Sequence, residues 1–194
     1  MAEKLPYPVE LVQSWALRDG TRIVIRPIRP EDRQIEKDFV RHLSDESRYF
    51  RFFNALRDLS ETALTRFTQV DCDREMALIA VICENGRETE IGVARYAVNP
   101  DGRSCEFAIV VADAWQREGI GSKLMNSLLE AARRRGLETM EGWVLSGNTR
   151  MLALTDGLGF TIDANAGDPS LRHVVKNLAM RTVPAGTAAN PETT

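Results

Sequence analysis

The sequence predicts a mixed α/β fold, a mostly antiparallel sheet with helices on both of its faces. Three observations carry that expectation. Apolar segments at 76–83, 91–98 and 104–111 follow one another with turn signals between them, Glu84-Asn85-Gly86 and Asn99-Pro100-Asp101-Gly102, which is the pattern of antiparallel hairpins. The period then changes over 119–135, where Ile120, Leu124, Leu128 and Ala131 or Ala132 recur at helical spacing. The 194 residues, 43% hydrophobic and 27% charged, suffice for one domain with a core of its own.

Taken in order, residues 1–14 carry Pro6 and Pro8 and read as an extended N-terminal segment. Trp15 to Leu17 and Thr21 to Ile28 form a hairpin about Asp19-Gly20, with Ile23 and Ile25 alternating against Arg22, Val24 and Arg26. Pro30-Glu31-Asp32 has the proline and acids of a helix first turn, and that helix runs to about His42. Ser44-Asp45-Glu46 starts a second helix carrying Tyr49, Phe50, Phe52 and Phe53, and Ser60-Glu61 a third that ends near Val70. Met76 to Cys83 is a central strand, Ile91 to Val98 and Ser104 to Val111 the next two. The helix from Gly119 to Arg135 ends on Gly136. Thr139 to Leu145 is a strand, Asn148 to Leu158 a short helix, and strands begin at Phe160 and Leu171. Residues 15–181 form the folded domain, and 182–194, with Pro184, Gly186 and Pro191, read as a disordered tail.

Charge and cysteine usage exclude several classes. A net charge of −3 argues against a general nucleic-acid binder. Cys72, Cys83 and Cys105 are odd in number and form no CxxC, so neither a disulfide framework nor a metal site is expected. Cys83 and Cys105 lie in apolar runs and read as buried thiols. The first ten residues hold no apolar signal core, and the apolar run 76–83 is far too short to span a membrane. The expectation is a cytoplasmic protein with no membrane partner.

The segment that carries chemistry is Gln116-Arg117-Glu118-Gly119-Ile120-Gly121, between a strand and an amphipathic helix. Its glycines allow a tight turn and close approach of a ligand, and the helix start leaves unpaired N–H groups pointing outward, an anion site suited to a diphosphate. Ser122 adds a hydroxyl and Arg117 a cation. The plainer alternative is a strand–helix turn whose glycines serve packing. No Gly-Lys-Ser/Thr of a P-loop occurs, and Leu124 stands where a dinucleotide fingerprint has its third glycine.

This segment resembles the Q/R-x-x-G-x-G/A acyl-CoA signature of the GNAT N-acetyltransferases, and Asn148 and Gly159-Phe160 resemble later elements of that family. Upstream, 17–21, 26–32, 47–53 and 73–78 resemble the catalytic domain of bacterial Pat-type protein lysine acetyltransferases. The resemblance implies the GNAT fold, with central strands that splay apart, and acetyl-CoA as cosubstrate without a metal. It implies that backbone groups of Ile109, Val110 and Val111 pair with the pantetheine arm. The N–H groups of Gln116, Arg117, Glu118, Gly119, Ile120 and Gly121 would hold the diphosphate, and Asn148 would touch the pantetheine.

Glu106 is the expected general base. Strand parity sets Cys105, Phe107, Ile109 and Val111 on one face and Glu106, Ala108 and Val110 on the other. A carboxyl half-buried in so apolar a strand is a better proton acceptor than one in water. The Glu of a similar Glu-Phe-Ala motif is the base in Pat-type enzymes, which transfers to Glu106; the plainer alternative is a strand Glu paired with an arginine. Many GNAT enzymes carry a Tyr four residues before the Gly-Phe pair as general acid, where this chain has Thr155, so the acid role is unassigned. His42 and His173 read as non-catalytic, and Arg133 to Arg135 as a solvated helix end. Phe50 and Phe53 are expected in the core, with an acceptor wall as the other reading of the aromatic run. The function expected is acetyl transfer from acetyl-CoA to an amine, foremost a protein lysine. Alternatives are a small-molecule amine as acceptor, or a non-catalytic acyl-CoA sensor. The oligomeric state is not encoded legibly.

Overall fold

The structure, a computed structural model, describes residues 7–53, 58–84, 86–163 and 167–179. The expected tail at 182–194 and the first six residues of the extended segment lie outside them. After a 3-10 turn at Val9–Leu11, the chain runs β1 (Gln13–Ala16), β2 (Arg22–Pro27), α1 (Arg33–His42), α2 (Asp45–Phe52), α3 (Glu61–Thr68), β3 (Glu75–Glu84), β4 (Arg87–Val98) and β5 (Ser104–Val111). It continues through α4 (Ile120–Arg134), β6 (Thr139–Leu145), α5 (Thr149–Gly157), β7 (Thr161–Asp163) and β8 (Leu171–Asn177). The eight strands form one sheet in the order β1-β2-β3-β4-β5-β6-β8-β7. Every neighbouring pair is antiparallel except β5 with β6.

Strand alternation builds two cores. One face of β5 sends Cys105, Phe107 and Ile109 into a cluster with Ile120, Leu124 and Leu128 of α4, and Met151 and Leu154 of α5 lie against it. On the other face, Val110 joins Ile79, Val81 and Val93 beneath Phe39 and Val40 of α1 and Leu64 of α3. α4 can lie this close because residue 92 is glycine: a Cβ there would stand 3.2 Å from Leu124 Cδ1 and 3.3 Å from Val110 O. Ser44 and Ser60 cap α2 and α3, accepting from the amides of Ser47 and Ala63.

Several local expectations are corrected. Pro30–Asp32 is a 3-10 turn ahead of α1. Its Asp32 turns inward and accepts from both Nη atoms of Arg26, at 2.7 and 2.8 Å. Arg26, placed outward by simple alternation, is only 3% exposed, and Glu88 closes its other side. Two strong ion partners brought from elsewhere in the chain make its burial tolerable. Cys83 is exposed, since the apolar run reaches the sheet's rim there. Residues 9–11 turn rather than extend, and bury Leu11. Phe53 is exposed in a left-handed conformation that ends α2, and Phe50 is half-buried; Phe52 stacks on Phe67 instead.

Candidate active site

The site is built where β5 and β6 part company. The two strands pair only from Ser104↔Thr139 to Glu106↔Glu141. One residue further, the ring of Phe107 fills the space over Gly142, where a Cβ would come within 2.7 Å of the ring. Phe160 packs on that ring with centroids 5.3 Å apart. β5 stays with β4 as far as Val111, and β6 stays with β8 as far as Leu145. The gap left between them opens into two cavities.

The larger cavity, about 560 Å³, is lined by Ile109, Val110 and Val111 on one side and by Asn148, Arg150 and Met151 on the other. Its end is closed by Gln116, Arg117, Gly119, Gly121 and Ser122. Glu118 and Ile120, also expected here, do not line it: Glu118 faces solvent and the Ile120 side chain belongs to the core. Arg117 and Gly119 both hold left-handed backbone angles, φ 70° and 78°. That conformation is costly for an arginine and natural for a glycine. A Cβ at Gly119 would meet nothing, so the glycine serves the turn rather than the space. No side chain caps α4, whose first turn therefore presents free N–H groups and the positive end of the helix dipole to the cavity. A strained turn, uncapped amides, two arginines and a serine fit the diphosphate of a CoA thioester.

Neighbouring groups fix this end of the site. Gln116 Nε2 donates to Val111 O at 3.1 Å and to Ser47 Oγ at 3.3 Å, and its Oε1 accepts from Arg150 at 2.9 Å. Asp113 ties α2 over the cavity by accepting from the Ser44 hydroxyl and amide and the Ser47 hydroxyl, at 2.7 to 2.9 Å. Burial pushes its carboxyl up, but these donors outweigh it and hold Asp113 below the usual range. Asn148 caps α5, its Oδ1 accepting from the Met151 amide at 3.1 Å, so its Nδ2 is the group left to face the cavity.

The smaller cavity, about 280 Å³, adjoins the first through Phe50, Arg51, Ile109, Asn148 and Met151, which line both. Phe52, Phe53 and Trp143 give it an aromatic wall, and Glu106 is its one carboxylate among the described residues. Parity places Glu106 as expected, opposite in sense to Cys105, but it is exposed rather than half-buried, because it lines the open smaller cavity beside the end of α2. Cys105 is fully buried, and burial pushes its thiol up to about 12, which removes it as a nucleophile at neutral pH. Thr155 is also buried, its hydroxyl donating to Leu152 O at 3.0 Å within α5.

The family model described as the acetyltransferase (GNAT) family matches residues 37–160. An acetyltransferase of Pseudomonas aeruginosa is 34% identical over 165 residues, 85% of this chain and 88% of the relative. The chain belongs to the GNAT acetyltransferase family. The solved GNAT domain of S. lividans PAT has a TM-score of 0.79 at 28% identity, with 89% of this chain and 99% of that one covered. Acetyltransferase Pat of Mycolicibacterium smegmatis is 28% identical over 155 residues, which span 79% of this chain and 44% of that protein. A putative acetyltransferase from Salmonella typhimurium, solved with acetyl-CoA, shares the fold, at a TM-score of 0.62 and 22% identity over 84% of this chain and 98% of that one.

As a GNAT enzyme the protein is an acetyl-CoA-dependent N-acetyltransferase whose acceptor bears an amine. None of its helices is long and apolar enough to cross a membrane, among the described residues. No group of three His, Cys, Asp or Glu side chains among them could hold a metal ion. The GNAT signature loop was legible in the sequence, whereas Arg51 and Arg150 were not, because only the fold carries α2 and α5 to the gap. His173, read from the sequence as non-catalytic, has two close partners in the fold. Its Nε2 lies 3.0 Å from Glu141 Oε2 and its ring stacks on Trp143 at 4.5 Å; His173 itself is on β8, two strands away from Glu106 on β5.

Proposed function

We propose that this enzyme transfers the acetyl group of acetyl-CoA to a lysine side chain of a protein by direct attack, with Glu106 as general base. The carrying observation is the position of Glu106: the last residue of β5 paired to β6, and the one described carboxylate in the cavity that adjoins the larger one. In this reading the larger cavity takes the donor. The amides of residues 116–121, with Arg117 and Ser122, hold its diphosphate. Ile109, Val110 and Val111 align its pantetheine, and Asn148 Nδ2 touches that arm from the other side of the gap.

The acceptor enters by the smaller cavity. A lysine ammonium is mostly protonated at pH 7, and freeing the amine costs about 4–5 kcal/mol there. Glu106, directly or through one water, takes that proton, and the neutral amine attacks the thioester carbonyl with no covalent enzyme intermediate. A β5 amide near Val110 stabilises the oxyanion. The long apolar stem of a lysine and its cationic tip suit a wall of Phe50, Phe52, Phe53 and Trp143. Phe53 and Trp143 in that wall are exposed, which favours an acceptor carried on a protein surface over one enclosed in a pocket. The resemblance of residues 17–21, 26–32, 47–53 and 73–78 to Pat-type enzymes supports the same acceptor.

Incubating a protein lysate with labelled acetyl-CoA, with and without the enzyme, tests this by mass spectrometry of the lysines. New acetyl-lysine that depends on the enzyme supports the reading. Faster turnover of free amines than of proteins would assign a small-molecule acceptor, and binding of CoA without thiol release to any acceptor would assign a sensor.

A further inference from the structure

The two cavities meet at Phe50, Arg51, Ile109, Asn148 and Met151. With the donor in the larger and the acceptor in the smaller, the thioester and the amine can meet only there. Two polar side chains serve that junction, Arg51 and Asn148, and Asn148 has spent its oxygen on capping α5. The reaction places negative charge at this point twice: on the carbonyl oxygen during attack, then on sulfur as the thiol leaves.

Among the described residues, none of those that line both cavities carries a hydroxyl or thiol to protonate that sulfur. Thr155 is buried and donates within α5. Tyr7 donates to Pro27 O at 2.9 Å, far from the gap. Tyr96 and Cys105 lie in the core on the α4 side of the sheet. Tyr49 lines neither cavity. Arg51, by contrast, is a cation that lines both cavities. Its guanidinium lies over the Phe52 ring, 4.9 Å from the centroid, and no carboxylate among the described residues lies within ion-pairing distance of it. The nearest acid behind it, Glu36, is engaged by Arg95 at 3.7 Å. Burial first, and then the charge of Arg95, push Arg51 down to about 10 against the pull of Glu36, which leaves it protonated at neutral pH.

We propose that Arg51 is a catalytic residue whose guanidinium stabilises the departing CoA thiolate, so that the enzyme needs no general acid. The inference rests on the donor and acceptor placement above. The ammonium gives one proton to Glu106 before attack, which Glu106 passes on to solvent, and the nitrogen of the tetrahedral adduct gives a second to water as the amide forms. The carbon–sulfur bond breaks with its electron pair on sulfur, and the thiolate beside Arg51 then takes one proton back from water. A cation held in place costs no reorganisation when the charge appears, and its effect is largest where water is excluded.

Calorimetry of CoA and of desulfo-CoA over a range of pH tests this directly. A cation that favours thiolate over thiol makes CoA bind increasingly better than desulfo-CoA as pH rises toward the thiol's ionisation, and the Arg51→Gln variant should lose that rise. With a protein lysate as acceptor, Arg51→Gln should release thiol about 10²–10³-fold more slowly at saturation, with acetyl-CoA affinity nearly unchanged, and Arg51→Lys should recover part of the rate. The proposal is overturned by a flat CoA to desulfo-CoA ratio in the unmodified enzyme, by full activity of Arg51→Gln, or by a loss that more acceptor restores, which would make Arg51 an acceptor-binding group. Failure of acetyl-CoA to bind the unmodified enzyme at all would instead remove the donor placement, and this inference with it. The pH comparison on the unmodified protein stands even if Arg51→Gln does not fold.

Discussion

Glu106 stands where strand pairing ends, and its neighbours explain why a charged side chain can interrupt an apolar strand. Cys105 and Phe107 on either side turn into the core beneath α4, while Glu106 points to the opposite face, into the open smaller cavity beside the end of α2. Replacing it with Gln keeps the shape and removes the proton acceptor. Glu106→Gln should therefore bind acetyl-CoA as before and lose about 10²–10⁴ in turnover, a split that calorimetry and thiol release together read; unchanged turnover would take Glu106 out of the mechanism. Glu90 presents the opposite case, a carboxyl at 3% exposure with neither oxygen partnered by a clear donor. Burial above all, then the charge and hydrogen bond of Glu36, push it well above the ordinary range despite Arg95. A carboxyl raised in this way favours the fold when protonated, below its unfolded value, and that contribution is lost as pH climbs from there through the raised value. Glu90→Gln, which does not titrate, should gain thermal stability over the unmodified protein as pH rises from about 5 to 8, and melting curves that stay parallel across that range would contradict the assignment.

At the scale of the element, the gap between β5 and β6 has a specific cause. Parallel pairing stops after Glu106↔Glu141 because the Phe107 ring lies over Gly142. Any side chain at 142 must displace that ring, on which Phe160 is packed. Gly142→Ala is expected to cost about 1–3 kcal/mol and to lower activity by narrowing the gap, which denaturant unfolding and kinetics would register; a neutral substitution would mean that the ring does not hold the strands apart. Much at this scale was legible in advance. The hairpin about Asp19-Gly20, the central strands and the amphipathic period of α4 each follow from short-range pattern, and pattern survives folding wherever one face is buried. What could not be read depends on partners distant in sequence. Arg26 is buried because Glu88, 62 residues away, closes on it from the side that the nearby Asp32 leaves open. The aromatic side chains of α2 divide between a stack on Phe67 and the wall of the smaller cavity according to how α2 is tethered by Asp113. The same distance in sequence hid Arg51 and Arg150 from any spacing argument.

For the molecule as a whole, a net charge of −3 conceals a local excess of cations where the gap opens. Arg117 and Arg150 flank the uncapped first turn of α4, and Arg51 stands at the inner end. Such focusing draws a polyanionic donor into a protein that is acidic overall. The sheet supplies the rigid frame: α4 and α5 on one face and α1 to α3 on the other hold two diverging strands, and the two cavities meet in the space between them. The measurement that bears most directly on this arrangement is titration of acetyl-CoA into the protein and into its Gly121→Glu variant. A Cβ at 121 faces Leu154 and Val111 across the mouth of the larger cavity, at 3.5 and 3.8 Å, so a glutamate there brings bulk and negative charge to the diphosphate position. Saturable binding to the unmodified protein and none to a folded Gly121→Glu variant is the predicted result; equal binding to both, or to neither, would contradict it.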